Sequence, residues 1–258
     1  MILTLKVLMT PVLIAAITLA GRRWGQGVSG WLVGFPLVSG PISIVLALQN
    51  GTGFAARAAI GTLGGETSVC AYCLAYCLVA QVAGWPASIA AAALAFFAAT
   101  FLWSLATPPL LVTLAIDAVA IVLFLKLIPR QAALPAAAVP PKWDIPVRML
   151  LAAVFVVALT TFSNSLGAQL SGLISPFPVF STIMAPFTHH QQGARTAIHL
   201  LRGVVLGSFA LLAFYLIVNT LLPVASIPLT YLAASSMAIV VSGISLRFVH
   251  PVQPLTVE

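Results

Sequence analysis

The stretch GQGVSGWLVGFPLVSG, residues 25–40, decides the reading of this chain, because it returns as GAQLSGLISPFPVFST at residues 167–182. An offset of 142 lays Gly25, Ser29, Gly30, Phe35, Pro36 and Ser39 on Gly167, Ser171, Gly172, Phe177, Pro178 and Ser181. The register continues without a gap, carrying Gln49 and Gly51 onto Gln191 and Gly193, then Gly61 and Gly65 onto Gly203 and Gly207. Two unrelated apolar helices share Leu and Ala by chance, not Gly, Pro and Gln. An internal repeat sets architecture ahead of other signals, so the chain reads as two homologous halves.

The medium of those halves is a bilayer. Of the 258 residues 61% are hydrophobic and 6% charged, more apolar surface than a water-soluble core can absorb. Apolar runs of about 20 residues, enough for a helix to cross about 30 Å of hydrocarbon, recur from end to end. They are continuously apolar and rich in Ala and Leu, which excludes the short alternating strands of a β-barrel. Nine spans are expected: Ile2–Ala20, Val28–Leu48, Phe54–Ala80, Pro86–Ala106, Pro108–Ile128, Ile145–Phe162, Leu170–Thr188, Ala194–Leu221 and Ile227–Phe248. The Ala- and Pro-rich segment Arg130–Asp144 is the one convincing linker. Residues 1–106 then form a first repeat, 107–144 a linking helix and cytoplasmic loop, and 145–258 a second repeat. Two four-span units joined directly would run the same way; the fifth span inverts the second. The expected fold is an all-α polytopic membrane protein with two inverted four-helix repeats around a central helix.

The net charge of +7 does not form a nucleic-acid patch, because the basic residues stand singly or in pairs at span ends. Arg22 and Arg23, the group Lys126, Arg130, Lys142 and Arg148, then Arg195 and Arg247 all fall on one side of a nine-span chain. The positive-inside rule makes that side the cytoplasm, with the N-terminus outside and the C-terminus inside. The first span is read as retained; cleavage after Ala20 would leave Arg22 and Arg23 on an exported end.

Paired interruptions are the chemical signal. Gly30, Gly34, Pro36, Gly40 and Pro41 break the second span, and Gly172, Pro176, Pro178 and Pro186 the seventh. Helix breakers at membrane depth free backbone groups that protein, water or solute must satisfy, and matched breaks in two halves point to a transporter binding site; glycines there also permit close helix packing. Glu66, in GTLGGETS, stands near the middle of the third span beside Gly64 and Gly65, which are expected to weaken the helix. An acid at that depth costs about 2.5 kcal/mol or more unless it is neutral or faces a wet cavity, and is suited to carry a proton or Na⁺. Asp117 lies at similar depth in the fifth span, with Arg57, Arg202 or Glu66 as candidate partners. Arg195, His199 and Arg202 fall on one helical face, and His199 aligns with Arg57; either set offers a counter-charge to an anion. Cys70, Cys73 and Cys77 follow Glu66 at helical spacing, a weak soft-metal stripe that reads first as packing. No catalytic triad order, phosphate loop or paired-carboxylate motif stands out, so an enzyme is not expected, nor a cofactor.

Gly172, Leu173, Pro176, Phe177 and Pro178, with the Gly-rich helix after them, resemble the GlpM-like family of small bacterial inner-membrane proteins, each about half this length. The first half shares Gly30, Leu32, Phe35 and Pro36 but carries Gly34 where the second has Pro176. The resemblance implies a fused duplication of such a unit in a bacterial inner membrane. The function expected is secondary transport or export of a small solute, an anion among the candidates, by alternating access around Glu66. A membrane scaffold for envelope assembly and a metal-ion transporter are the alternatives. The expected partners are the solute or ion, the lipid bilayer and a second copy of the chain.

Overall fold

The computed structural model describes residues 2–106, 108–128, 140–165 and 177–249. Pro176, Gly172, residues 130–139 of the linker and the first part of the seventh expected span lie outside the described residues. Among those described are ten helices and no strand: α1 (Ile2–Trp24), α2 (Gln26–Val33), α3 (Ser39–Asn50), α4 (Thr52–Val79), α5 (Trp85–Ser104), α6 (Leu110–Leu127), α7 (Asp144–Ser165), α8 (Val179–Gln192), α9 (Ala194–Leu221) and α10 (Ile227–Leu246). Six of them, α1, α4, α5, α6, α9 and α10, are long and apolar enough to cross a membrane. In hydrocarbon a helix satisfies its backbone internally, so the apolar side chains are free to face outward. Leu94 and Leu102 on α5, Leu111 and Val119 on α6, and Leu232 and Ile239 on α10 are all exposed, whereas Ser68, Ser88, Thr113, Ser208, Thr230 and Ser242 are buried. That inversion of the water-soluble pattern suits a protein dissolved in lipid.

The bounds of the later helices repeat those of the earlier ones. Adding 142 to α4 gives α9, and adding it to α5 gives α10, residue for residue. Ahead of each long helix stands a glycine in the left-handed region, Gly51 with φ 86° and Gly193 with φ 87°, a conformation that side chains other than glycine rarely take. At the centre α4 and α9 pack antiparallel: Asn219, near the end of α9, donates to the Ala56 carbonyl near the start of α4 at 2.6 Å, and Ser208 meets Glu66 midway. Helix α5 packs on α4 as α10 does on α9, α3 on α4 as α8 on α9, and α1 on α7; α6 leans on both α4 and α9.

The second expected span, Val28–Leu48, is not one helix. Pro36 has no N–H to give, the Phe35 N–H turns to the Leu32 carbonyl, and the Leu37 N–H turns to the Phe35 carbonyl at 2.7 Å; helical bonding resumes with the Gly40 N–H on the Pro36 carbonyl. The pieces, α2 of 8 residues and α3 of 12, are about 12 and 18 Å long, each short of the bilayer core. They continue in one direction along α9, since Gly27 lies against Gly203, Gly34 against Gly207 and Gly40 against Phe214. A side chain at Gly30 would collide with the Leu200 carbonyl, and one at Gly203 with the Gly27 carbonyl. Glycine here is what lets two backbones touch. Gly64 and Gly65 do not weaken α4, which runs unbroken through Glu66; Gly64 makes room for the Trp103 indole of α5.

Candidate functional site

Where α2 stops and α3 begins, the chain opens onto a cavity of about 680 Å³ between the two halves. Part of its wall comes in pairs 142 residues apart: Ile17 and Leu159, Phe35 and Phe177, Leu37 and Val179, Ser39 and Ser181, Thr62 and Val204, Val69 and Leu211. The break in the first half and the start of α8 in the second thus form facing walls, with Pro178 among the lining residues. Pro36 is buried behind Phe35 and Leu37, and Gly34, besides lining the cavity, packs on Gly207. Ser181 brings a buried hydroxyl with no hydrogen-bond partner among the described residues.

Glu66 is the one charged side chain in that lining among the described residues. It is buried, with 6% of its surface exposed, and Oε1 accepts the hydroxyl of Ser208. Ser208 stands 142 residues on, so the two matched positions meet each other at the crossing of α4 and α9. The next residue, Thr67, turns to the other side of α4 and donates to Asp117 Oδ1 at 2.5 Å, leaving Oδ2 buried without a partner among the described residues. Asp117 therefore pairs with a hydroxyl rather than with a base, and it stands outside the cavity wall.

The basic candidates do not gather at this site. Arg57 is exposed on the second turn of α4, His199 is half-buried against Gly27 of α2, and Arg195 is exposed. Arg202 donates through Nη1 to the Leu125 carbonyl at 2.6 Å and the Ile128 carbonyl at 3.2 Å. It latches the C-terminal end of α6, where unpaired carbonyls and the helix dipole favour a cation. Among the described residues no Lys, Arg or His lines the cavity. Arg202→Met keeps the length and removes the donors, and should cost about 1.5–3 kcal/mol, the usual worth of a charged hydrogen bond; a lowered melting temperature of the protein in detergent would show it. Cys70, Cys73 and Cys77 are fully buried in the apolar core, and no three His, Cys, Asp or Glu side chains among the described residues are placed to hold a metal ion.

A second polar cluster escaped the reading of the sequence. Asp144, the first residue of α7, accepts Arg148 Nε at 2.8 Å, Arg22 Nη2 at 2.8 Å and Gln191 Nε2 at 2.7 Å. Arg148 is itself buried, with its guanidinium 4.8 Å from the centre of the Phe187 ring. Burial alone would push the Asp144 carboxyl up, but the bonds from Arg148, Gln191 and Arg22 outweigh it and hold the group below the usual range. The cluster ties α1, α7 and α8 together at one end of the bundle. The i, i+4 spacing of Asp144 and Arg148 was the available signal. No family model, curated protein or solved structure matches the chain.

Proposed function

We propose that the protein is a secondary transporter of a small solute, built from two inverted repeats that rock about the α4–α9 crossing and carry a proton on Glu66. The observation that supports it best is the cavity: one carboxyl in its wall among the described residues, the α2–α3 break on one side facing the start of α8 on the other, and lining residues from both halves, many of them at matched positions. A break at membrane depth frees backbone groups that protein, water or solute must satisfy; a site that releases its own hydrogen bonds to a passing solute would make use of it. Repeats of opposite orientation then supply two conformations of nearly equal energy, one open to each side. The one-to-one helix bounds and the antiparallel course of α4 and α9 support the duplication, in keeping with the resemblance to GlpM-like proteins and with a nine-span, N-outside topology in a bacterial inner membrane.

The test is flux. Full-length protein in proteoliposomes carrying an internal pH dye should move protons when one class of solute is added to one side, and Glu66→Gln, which keeps size and hydrogen bonding, should bring that movement to the background of empty vesicles. Full flux in Glu66→Gln would remove the proton-carrying role. No proton movement with any solute class, from protein that is folded and correctly inserted, would favour a scaffold for envelope assembly.

A further inference from the structure

On the reading of the cavity as a transport site, we infer that its substrate is an apolar organic cation, an amine or onium ion, which exchanges with a proton on Glu66. The choice follows from what the wall offers. Among the described residues one carboxyl and no basic side chain line it, so an anion would meet a like charge with nothing there to offset it in a medium where charge is costly. A sugar needs a dense set of hydrogen bonds with amide and carboxyl groups, and apart from Glu66 the polar lining side chains among the described residues are hydroxyls, those of Thr10, Ser39, Ser43, Thr62, Ser181 and Tyr215. A bare Na⁺ or Ca²⁺ takes several oxygen ligands at close range, whereas one oxygen of Glu66 is already occupied by Ser208. The volume of about 680 Å³ is that of an organic ligand site rather than an ion cage.

The apolar lining then has a use. Phe35, Phe177, Phe180 and Tyr215 stand in the wall, and aromatic rings attract a cation while excluding water. Charge balance makes proton and substrate alternatives. An ionised Glu66 alone in the cavity leaves one negative charge unpaired; a proton or a monovalent cation neutralises it, and both together leave one positive charge. Binding of the cation therefore expels the proton from the carboxyl oxygen to the side on which the cavity is open, and protonation expels the cation. The other titratable groups near Glu66 are Cys70 and Cys73 on α4 and Asp117 on α6 behind Thr67, with Tyr215 of α9 in the wall. No titratable side chain from α1, α2, α3, α7 or α8 lines the cavity among the described residues. Asp117 is the competitor for the proton and is tested beside Glu66.

Two ions of matched shape and opposite sign, tetraphenylphosphonium and tetraphenylborate, would be titrated calorimetrically into the full-length protein in detergent between pH 5 and 8. The phosphonium should bind, with about one proton released per ion where the carboxyl is protonated, and its affinity should fall about tenfold per pH unit as acid reprotonates the site. Glu66→Gln should abolish the proton release and weaken binding at least tenfold, Glu66→Asp should restore both, and Asp117→Asn should leave both in place. Should tetraphenylborate bind as well as the phosphonium, or Glu66→Gln bind it undiminished, or the proton release vanish in Asp117→Asn alone, the inference is overturned. Flux of a different solute class through the wild type would overturn the substrate class and leave transport standing. Phosphonium binding of the expected kind without flux in vesicles would leave the class standing and remove transport.

Discussion

Asp144→Ala should be the most damaging single change outside the cavity, lowering stability by about 3–5 kcal/mol, the usual cost of leaving one member of a buried ion pair without its partner. The stranded group is Arg148, whose side chain is 2% exposed and which has a methionine sulphur and an aromatic ring as its other described neighbours. Arg22 is partly exposed and can return to water. Removing both charges should therefore be much milder than removing one: Asp144→Ala with Arg148→Met should recover most of the loss. Melting temperatures of the four proteins of that cycle, in one detergent at one pH, would measure it. Asp144→Ala melting with the wild type would show that the cluster holds nothing together. The pH dependence has a definite sign. Because the folded protein holds this carboxyl below its ordinary range, the contribution is fully present above the unfolded value of about 3.9 and is lost as pH falls through the lower folded value. Between pH 7 and 5 the Asp144 contribution should stay constant.

The second large effect is a contrast between glycines at matched positions. Gly203→Ala would drive a methyl group into the Gly27 carbonyl across the α2–α9 contact. No side chain there can swing aside, so the two backbones must part, at a cost at or above the usual 1–3 kcal/mol of overpacking, taken as about 3 kcal/mol. Gly30→Ala, against the Leu200 carbonyl, should behave alike. Gly61, the counterpart of Gly203, has no atom within 4 Å of the added methyl, and alanine is the better helix former by about 1 kcal/mol. Gly61→Ala should thus fold as well as the wild type or better. Yield and melting temperature of the two purified variants would decide the matter, and equal tolerance at both positions would contradict the packing of α2 on α9.

How much of this is legible in the residues depends on range. The bilayer environment follows from composition, and the helical ends at Gly51 and Gly193 from local chemistry. Pro36 marks the break in the second span, yet a hydropathy average over 20 residues bridges it, which is why Val28–Leu48 reads as one crossing. Glu66 stands out because an acid in an apolar run is costly wherever it points. Its bond to Ser208 needs α9 laid antiparallel on α4, which no local pattern encodes. Arg148 and Arg22 read as topology charges at span ends; that Arg148 is buried depends on Met184 and Phe187 of α8 covering it. Gly64 reads as a weak point because a lone sequence cannot show Trp103 filling the gap. Arg195, His199 and Arg202 sit at helical spacing without sharing a destination: Arg202 reaches the end of α6, His199 lies against α2, and Arg195 is exposed.

Helix α6 is fastened at two heights to two different partners: Asp117 to Thr67 of α4, and its last carbonyls to Arg202 of α9. A rod pinned to both members of a pair cannot travel with both. In the rocking proposed above, any rotation of α4 against α9 would lengthen one fastening or swing α6 about the other, so the segment that joins the halves in sequence would act as a brake between them. Its two pins are of unequal strength, a hydroxyl on a carboxyl and a guanidinium on carbonyls, and the one that yields first decides with which half the helix moves.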